Sequence, residues 1–308
     1  RSTFLKNIIR DNTGRAGVVC VDAAEPNFQE NNITTNETAN VLVETMANPH
    51  FTKNKIISGP TYGILIDNKG IGTFGENEVV QNGDSGVMVR GGDPSFTSNT
   101  IYRNANCGVE VTALGMGKFK ENSVLENFSS GFFVYNGGNP DLDKNRVANN
   151  KSYGVFVTEK GLGHYHHNHI HGNLDVNFAV ASESTPLVEH NFIYDGAKAG
   201  IGCFDSSIGR FFRNNVYGNT FAGAYVTENA IPVFEENEIH HQIDGYGIWV
   251  YGAGVPRIIN NQIHSNSVAN VAVSETGTPH IEGNHIFTSE GYGVWYYSEG
   301  NQGGKGLL

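Results

Sequence analysis

Residues 138–160 read GNPDLDKNRVANNKSYGVFVTEK, and this stretch decides the fold. Leu142 and Val147 flank Asn145, and Gly154 opens the run Gly-Val-Phe-Val. Both apolar runs are too short for helices and rich in β-branched residues. In the second run Val155 and Val157 share one face while Phe156 takes the other. The unit is two or three short strands joined by turns, with too little apolar surface to close a core alone.

The unit recurs along the chain. Asn145 belongs to a column of thirteen asparagines running from Asn7 through Asn31, Asn54 and Asn122 to Asn284, spaced by 23 with one 22 and two 24s. Gly154 belongs to a column in phase with it, from Gly17 to Gly293, in which Asn40, Asn177 and Asn270 replace glycine. Self-similarity at this period marks a solenoid. An apolar residue stands three before each asparagine (Phe28, Phe119, Leu142, Tyr165) and an Ile or Val two after it (Ile33, Val124, Val147, Ile170). These columns, with the residues just after each glycine, predict three inward walls. The class expected is all-β: a right-handed parallel β-helix of about 13 coils of ~23 residues, roughly 60 Å long at ~4.8 Å per coil. Stacked asparagine amides are expected to bond the turns above and below. The glycines are expected to supply left-handed corners.

Composition narrows the function. One array of fixed period over 308 residues implies a single domain, 1–308. Residues 300–308 read as disordered or as the start of a further coil, and the lack of visible caps predicts a segment of a longer protein. A net charge of −11 gives no basic footprint for nucleic acid. No apolar run reaches the length of a membrane span. Three cysteines cannot make a disulfide framework, and Cys20 and Cys203 lie eight coils apart, so reduced thiols and an intracellular setting (cytoplasm or nucleus) are expected, with secretion the alternative. The sequons at Asn32, Asn36, Asn127 and Asn150 carry little weight in so asparagine-rich a chain.

Function must then come from outward positions. Those two and four after the corner glycine include Phe133, Tyr135, Phe156, Phe204, Tyr225, Trp249, Tyr251, Trp295 and Tyr297. An outward aromatic stripe predicts a binding surface for a protein or for sugars, the alternative being a face covered by a flanking element. Glu44, Asp67 and Arg90 form a charged column with Glu110 nearby, which reads as a surface ladder of ion pairs. With His171 they are the catalytic candidates should the chain be an enzyme. His167, His169 and His171 are the candidate metal ligands in a cluster spanning His164 to His171. A stacked face of rings is the preferred reading there, because strand alternation sends adjacent histidines to opposite sides. No cofactor is expected.

The pattern Asn-Pro-x-Leu-x-x-Asn-x-Val, Gly-Val-x-Val, Gly-Leu-Gly at 139–163 resembles the CASH-type repeat of carbohydrate-binding proteins and sugar hydrolases. Coils with an x-Pro turn (Pro94, Pro140, Pro186, Pro232) alternate with Gly-x-Gly coils, and the chain closes on GKGLL. In this it most resembles the β-helical region of the F-box-only protein eleven family. That resemblance implies a non-enzymatic substrate receptor of a ubiquitin ligase, with a protein partner favoured and a glycan the second choice. The competing likeness is to pectin-lyase-like polysaccharide lyases and C5-epimerases, and a third reading is a structural or adhesive solenoid. The Tyr-Gly-Phe-Asp-Pro-His stretch of mannuronan epimerases does not occur.

Overall fold

The computed structural model describes residues 2–274 and 276–298. The expectation for 300–308 falls outside them. Each coil supplies three short strands, and like strands of successive coils stack into three parallel sheets of thirteen strands. Register is residue over residue: Asp141, Leu142 and Asp143 pair with His164, Tyr165 and His166. The expected right-handed parallel β-helix is the observed fold, with no helix among the described residues.

Side-chain alternation places the predicted columns inside. Phe28, Phe51, Phe74, Phe96 and Phe119 are buried and stack with centroids 4.5–5.2 Å apart. Tyr165 continues the column, and its buried hydroxyl donates to the Leu162 carbonyl at 2.8 Å, since a phenol left unpaired there is costly. Phe4 and Ile281, on the outermost rungs, are the exposed members of the same wall.

The asparagine ladder is continuous. Asn145 Oδ1 accepts from the backbone N–H and from the side-chain amide of Asn122, at 2.9 and 3.0 Å. Its Nδ2 donates to the Phe119 carbonyl at 2.7 Å and to Asn168 Oδ1 at 3.0 Å. This pattern repeats from Asn7 to Asn284. It answers the turn's backbone groups, which have no strand partner.

The glycine column works differently from the expectation. The left-handed residue at the asparagine bend is the one just before each ladder asparagine: Lys53 (φ 57°), Lys144 (57°), His167 (54°). Gly283 is the sole glycine in that role. The corner glycines are not left-handed; they supply space. A Cβ on Gly131 would lie 2.8 Å from Asn150 Nδ2, and one on Gly200 2.8 Å from Asn219 Nδ2. Those amides form a second ladder, five residues after the first (Asn104 to Asn127 to Asn150 to Asn173). It lapses at Gly59 and Gly196, and there Asn40 and Asn177 take over. Asn36 Nδ2 donates to Asn40 Oδ1 at 2.9 Å, and Asn40 Nδ2 donates to Asn82 Oδ1 at 3.2 Å. Asn177 bridges Asn173 and Asn219 in the same way. One amide therefore fills this site in each of these coils, from either of two chain positions.

Burial settles two smaller points. Asn36, Asn127 and Asn150 are fully enclosed in the second ladder, so three of the four sequons are inaccessible in the folded chain. Cys20, Cys107 and Cys203 are buried and free of disulfides, and burial pushes the first two thiols up to about 11 and about 12. Thiols held protonated in this way are poor nucleophiles.

Candidate functional site

The third sheet carries Phe133, Phe156, Tyr225, Trp249, Trp295 and Tyr297 on its outer face, and Tyr135, Phe204 and Tyr251 follow directly on its strands. Their neighbours Phe132, Val134, Val155, Val157, Ile248 and Val250 point into the core, so alternation leaves the rings no other side. The rings are half-buried rather than free. Residues just before the corner glycines fold over them: Tyr153 packs on Phe156 at 4.6 Å and Tyr246 on Trp249 at 5.2 Å. Ring contacts run unbroken along the axis from Phe133 through Phe156, Phe204 and Tyr225 to Tyr251, at 5.6, 6.2, 6.3 and 6.3 Å. Trp249 stacks on Tyr251 at 4.0 Å and donates from Nε1 to Tyr297 Oη at 2.7 Å. Ala179, Gly202 and Ala272 interrupt the column of large residues, and the Tyr225 ring fills the space above Gly202. The stripe is thus a rigid, self-packed wall.

Toward the N-terminal end of this face lies a polar cluster. Glu110 points outward but is buried. Its Oε1 accepts from the Ser85 hydroxyl and, at 3.2 Å, from Asn106 Nδ2; its Oε2 accepts from Tyr135 Oη at 3.2 Å. Asn106 also donates to Asp84 Oδ1 at 2.9 Å, so two carboxylates share one amide. Burial raises the Glu110 pKa above the usual carboxylate value and nearby Asp84 adds to this, while the Ser85 and Tyr135 hydrogen bonds oppose it. Burial also pushes Tyr135 up to about 12, with Glu110 contributing. Sequence reading noticed Glu110 but missed Asp84, Ser85 and Asn106. They sit in turns before the third sheet, at repeat positions whose residue type changes from coil to coil. Their signal is weak: Ser85 directly precedes a corner glycine, as Tyr62 and Tyr153 do.

The four catalytic candidates do not converge. Glu44 is forked by Arg15 at 2.7 and 2.8 Å, and Asp67 is held by Arg90, whose guanidinium keeps that carboxyl below its ordinary value. These are solvent-screened ion pairs, as the ladder reading expects. His171 lies on the second sheet, away from the other three. There it begins a column of rings, His171, Tyr194, Tyr217, His240, His264 and Phe287, with centroids 4.6–5.3 Å apart. Burial depresses the pKa of His171 and His240 in this column.

The metal candidates also divide. His169 stacks on Phe192 and His171 on Tyr194, whereas His167 turns toward the first sheet. The left-handed backbone at His167 breaks strand alternation, so His166 and His167 face the same side with their Nδ1 atoms 3.1 Å apart. Adjacent histidines do converge here, contrary to the expectation.

The pattern of right-handed β-helix regions matches residues 39–193, 95–231 and 199–303, overlapping segments that span most of the chain. The chain belongs to the right-handed β-helix family. No curated protein matches this β-helix in sequence. Among solved structures it is similar to the periplasmic alginate epimerase AlgG, at 12% identity and a TM-score of 0.55, over 83% of this chain and 78% of that one. The A-module of the Azotobacter vinelandii mannuronan C-5 epimerase AlgE4 is similar at 14% identity and 0.55, over 90% of each chain. The Dettilon tailspike protein gp208 is similar at 12% and 0.52, over 89% and 62%. At these identities the likeness is one of fold. The narrower F-box-only likeness rests on the coil motifs alone.

Proposed function

We propose that this β-helix binds an uncharged polysaccharide along the outer face of its third sheet. The observation that carries the reading is the unbroken row of rings from Phe133 to Tyr251, aligned with the helix axis. Sugar rings present apolar C–H faces rimmed by hydroxyls, and rigid amphipathic aromatics match them at small entropic cost. A linear glycan suits a straight wall better than a folded protein surface does. The names of two similar structures, an alginate epimerase and a mannuronan C-5 epimerase, put a polysaccharide on this kind of scaffold, which favours a glycan over the protein partner of the F-box-only likeness. The charge favours a neutral chain over a polyuronate: the net charge is −11, and Arg15 and Arg90 are each forked onto a carboxylate.

Titration calorimetry with soluble glucans, xylans and mannans is expected to show binding, with alginate and pectate weaker. Trp249→Ala and Tyr225→Ala are each expected to weaken it about tenfold to a hundredfold, the worth of one large buried side chain. Both side chains also pack on the buried cluster beneath the wall, so the melting temperature should fall by a few degrees with the fold retained. Equal affinity in both variants, or a preference for polyuronates, contradicts the reading.

One observation favours a second reading, that the same face cleaves the glycan. Glu110, whose pKa burial raises, and Asp84 both accept from the Asn106 amide, and a close pair of carboxyl groups is what glycoside hydrolysis uses. In this reading protonated Glu110 gives its proton to the leaving oxygen, and the Asp84 carboxylate beside it takes a proton from the attacking water. Release of reducing ends should then fall as pH rises through the raised Glu110 pKa. Glu110→Gln should lower it at least a hundredfold and leave binding intact. Unchanged release in that variant, or binding with no release, assigns the face to recognition alone.

A further inference from the structure

We infer that Asp143, His166 and His167 form a binding site for a divalent transition ion of the Zn2+ class, on the first sheet and separate from the glycan face. Asp143 and His166 project outward from adjacent strands, since Leu142 and Tyr165 between their neighbours are core residues. The left-handed turn at His167 brings a third donor to the same point. His166 Nδ1 and His167 Nδ1 are 3.1 Å apart, and Asp143 Oδ1 is 3.3 Å from the first and 3.4 Å from the second. Three donors around one tetrahedral ion at zinc's bond lengths are separated by about 3.3 Å. The triangle therefore has the edge lengths that a single ion imposes.

The surrounding contacts set the protonation that coordination needs. His166 Nε2 lies 2.8 Å from Asp141 Oδ1, and a carboxylate only accepts, so the ring hydrogen sits on Nε2. In the neutral ring this leaves the Nδ1 lone pair aimed into the triangle. A carboxylate behind a ligating imidazole is the usual second layer of such sites. Ring planes are fixed as well: His166 stacks on His164 at 4.2 Å, and His167 on His190 at 5.5 Å. Two nitrogens and one carboxylate oxygen suit a borderline ion better than Ca2+ or Mg2+. Asp143 and His166 are partly sheltered while His167 is open to solvent, so one coordination position faces water.

The test uses the untagged full chain, dialysed against chelator, with Zn2+ for calorimetry and Co2+ for its visible tetrahedral spectrum. One ion per chain at micromolar concentration is expected. Asp143→Asn, close in shape to the native residue, and His166→Ala should each weaken binding at least tenfold and remove the Co2+ spectrum. Asp141→Asn, which touches only Nε2, should weaken it about 10–100-fold. His280→Ala, on a distant coil, should change nothing. Melting curves of each variant confirm that the fold survives. No saturable binding, or Asp143→Asn and His166→Ala binding like the parent, overturns the proposal. The 3.1 Å contact would then be a hydrogen bond between the two imidazoles.

Discussion

Asn145→Ala is expected to lower the stability of the β-helix by about 4 kcal/mol. The residue is mid-stack and 1% exposed, and its side chain makes four hydrogen bonds of 2.7–3.0 Å. Alanine keeps the backbone but strands the Asn122 N–H and the Phe119 carbonyl in a space closed to solvent. Each such group costs roughly 1–3 kcal/mol. The left-handed residue beside it, Lys144, adds strain that those bonds offset in the native chain. Denaturant titration followed by circular dichroism reads the effect. A loss below about 1 kcal/mol would show that neighbouring amides rearrange to cover the gap, and the ladder would then be a decoration of the fold.

The second large effect is a rescue. Gly131→Asn alone is expected to destabilise by about 3 kcal/mol, because the new Cβ and amide meet Val147 Cγ1, the Gly154 carbonyl and Asn150 Nδ2. Asn150→Gly alone should cost about as much, by opening the second ladder between Asn127 and Asn173. Together the two should cost clearly less than the sum of the single losses, although Val147 Cγ1 and the Gly154 carbonyl still crowd the new Cβ; such coupling is typical of residues that share one space. The native chain already contains the swapped arrangement: Asn40 with Gly59, and Asn177 with Gly196, each carry the amide on the corner residue. A double variant no better than the sum of its parts would mean that the corner excludes a side chain for a reason other than the amide below.

These two columns show how far the sequence could be read. The period, the inward walls and the ladder at Asn145 were legible because each side chain answers to the same position one coil away. The meaning of the glycines was not. Gly131 is kept small by Asn150, nineteen residues on, and no local turn rule contains that distance. Glycine is also the first explanation for a left-handed bend, yet here buried hydrogen bonds hold Lys53 and Lys144 in that conformation. The aromatic wall was placed on the correct face, because alternation in Val155-Phe156-Val157 admits one answer. Its half-burial was not foreseen, since the residue before the corner position is a tyrosine at 153 and 246 but alanine or serine at 39, 85 and 199. The His166–His167 pair was misjudged for a related reason: alternation ends at a left-handed residue, and the sequence does not mark His167 as one. Asp84 and Asn106 escaped notice because they are brought to Glu110 only when successive turns stack.

The account's central claim is tested most directly by a crystal structure of the chain soaked with the neutral oligosaccharide that binds best. Sugar rings lying parallel to the helix axis, their faces over Tyr225 and Trp249, are the predicted result. Density on the His171–Phe287 ring column of the second sheet, with the third sheet bare, would contradict it.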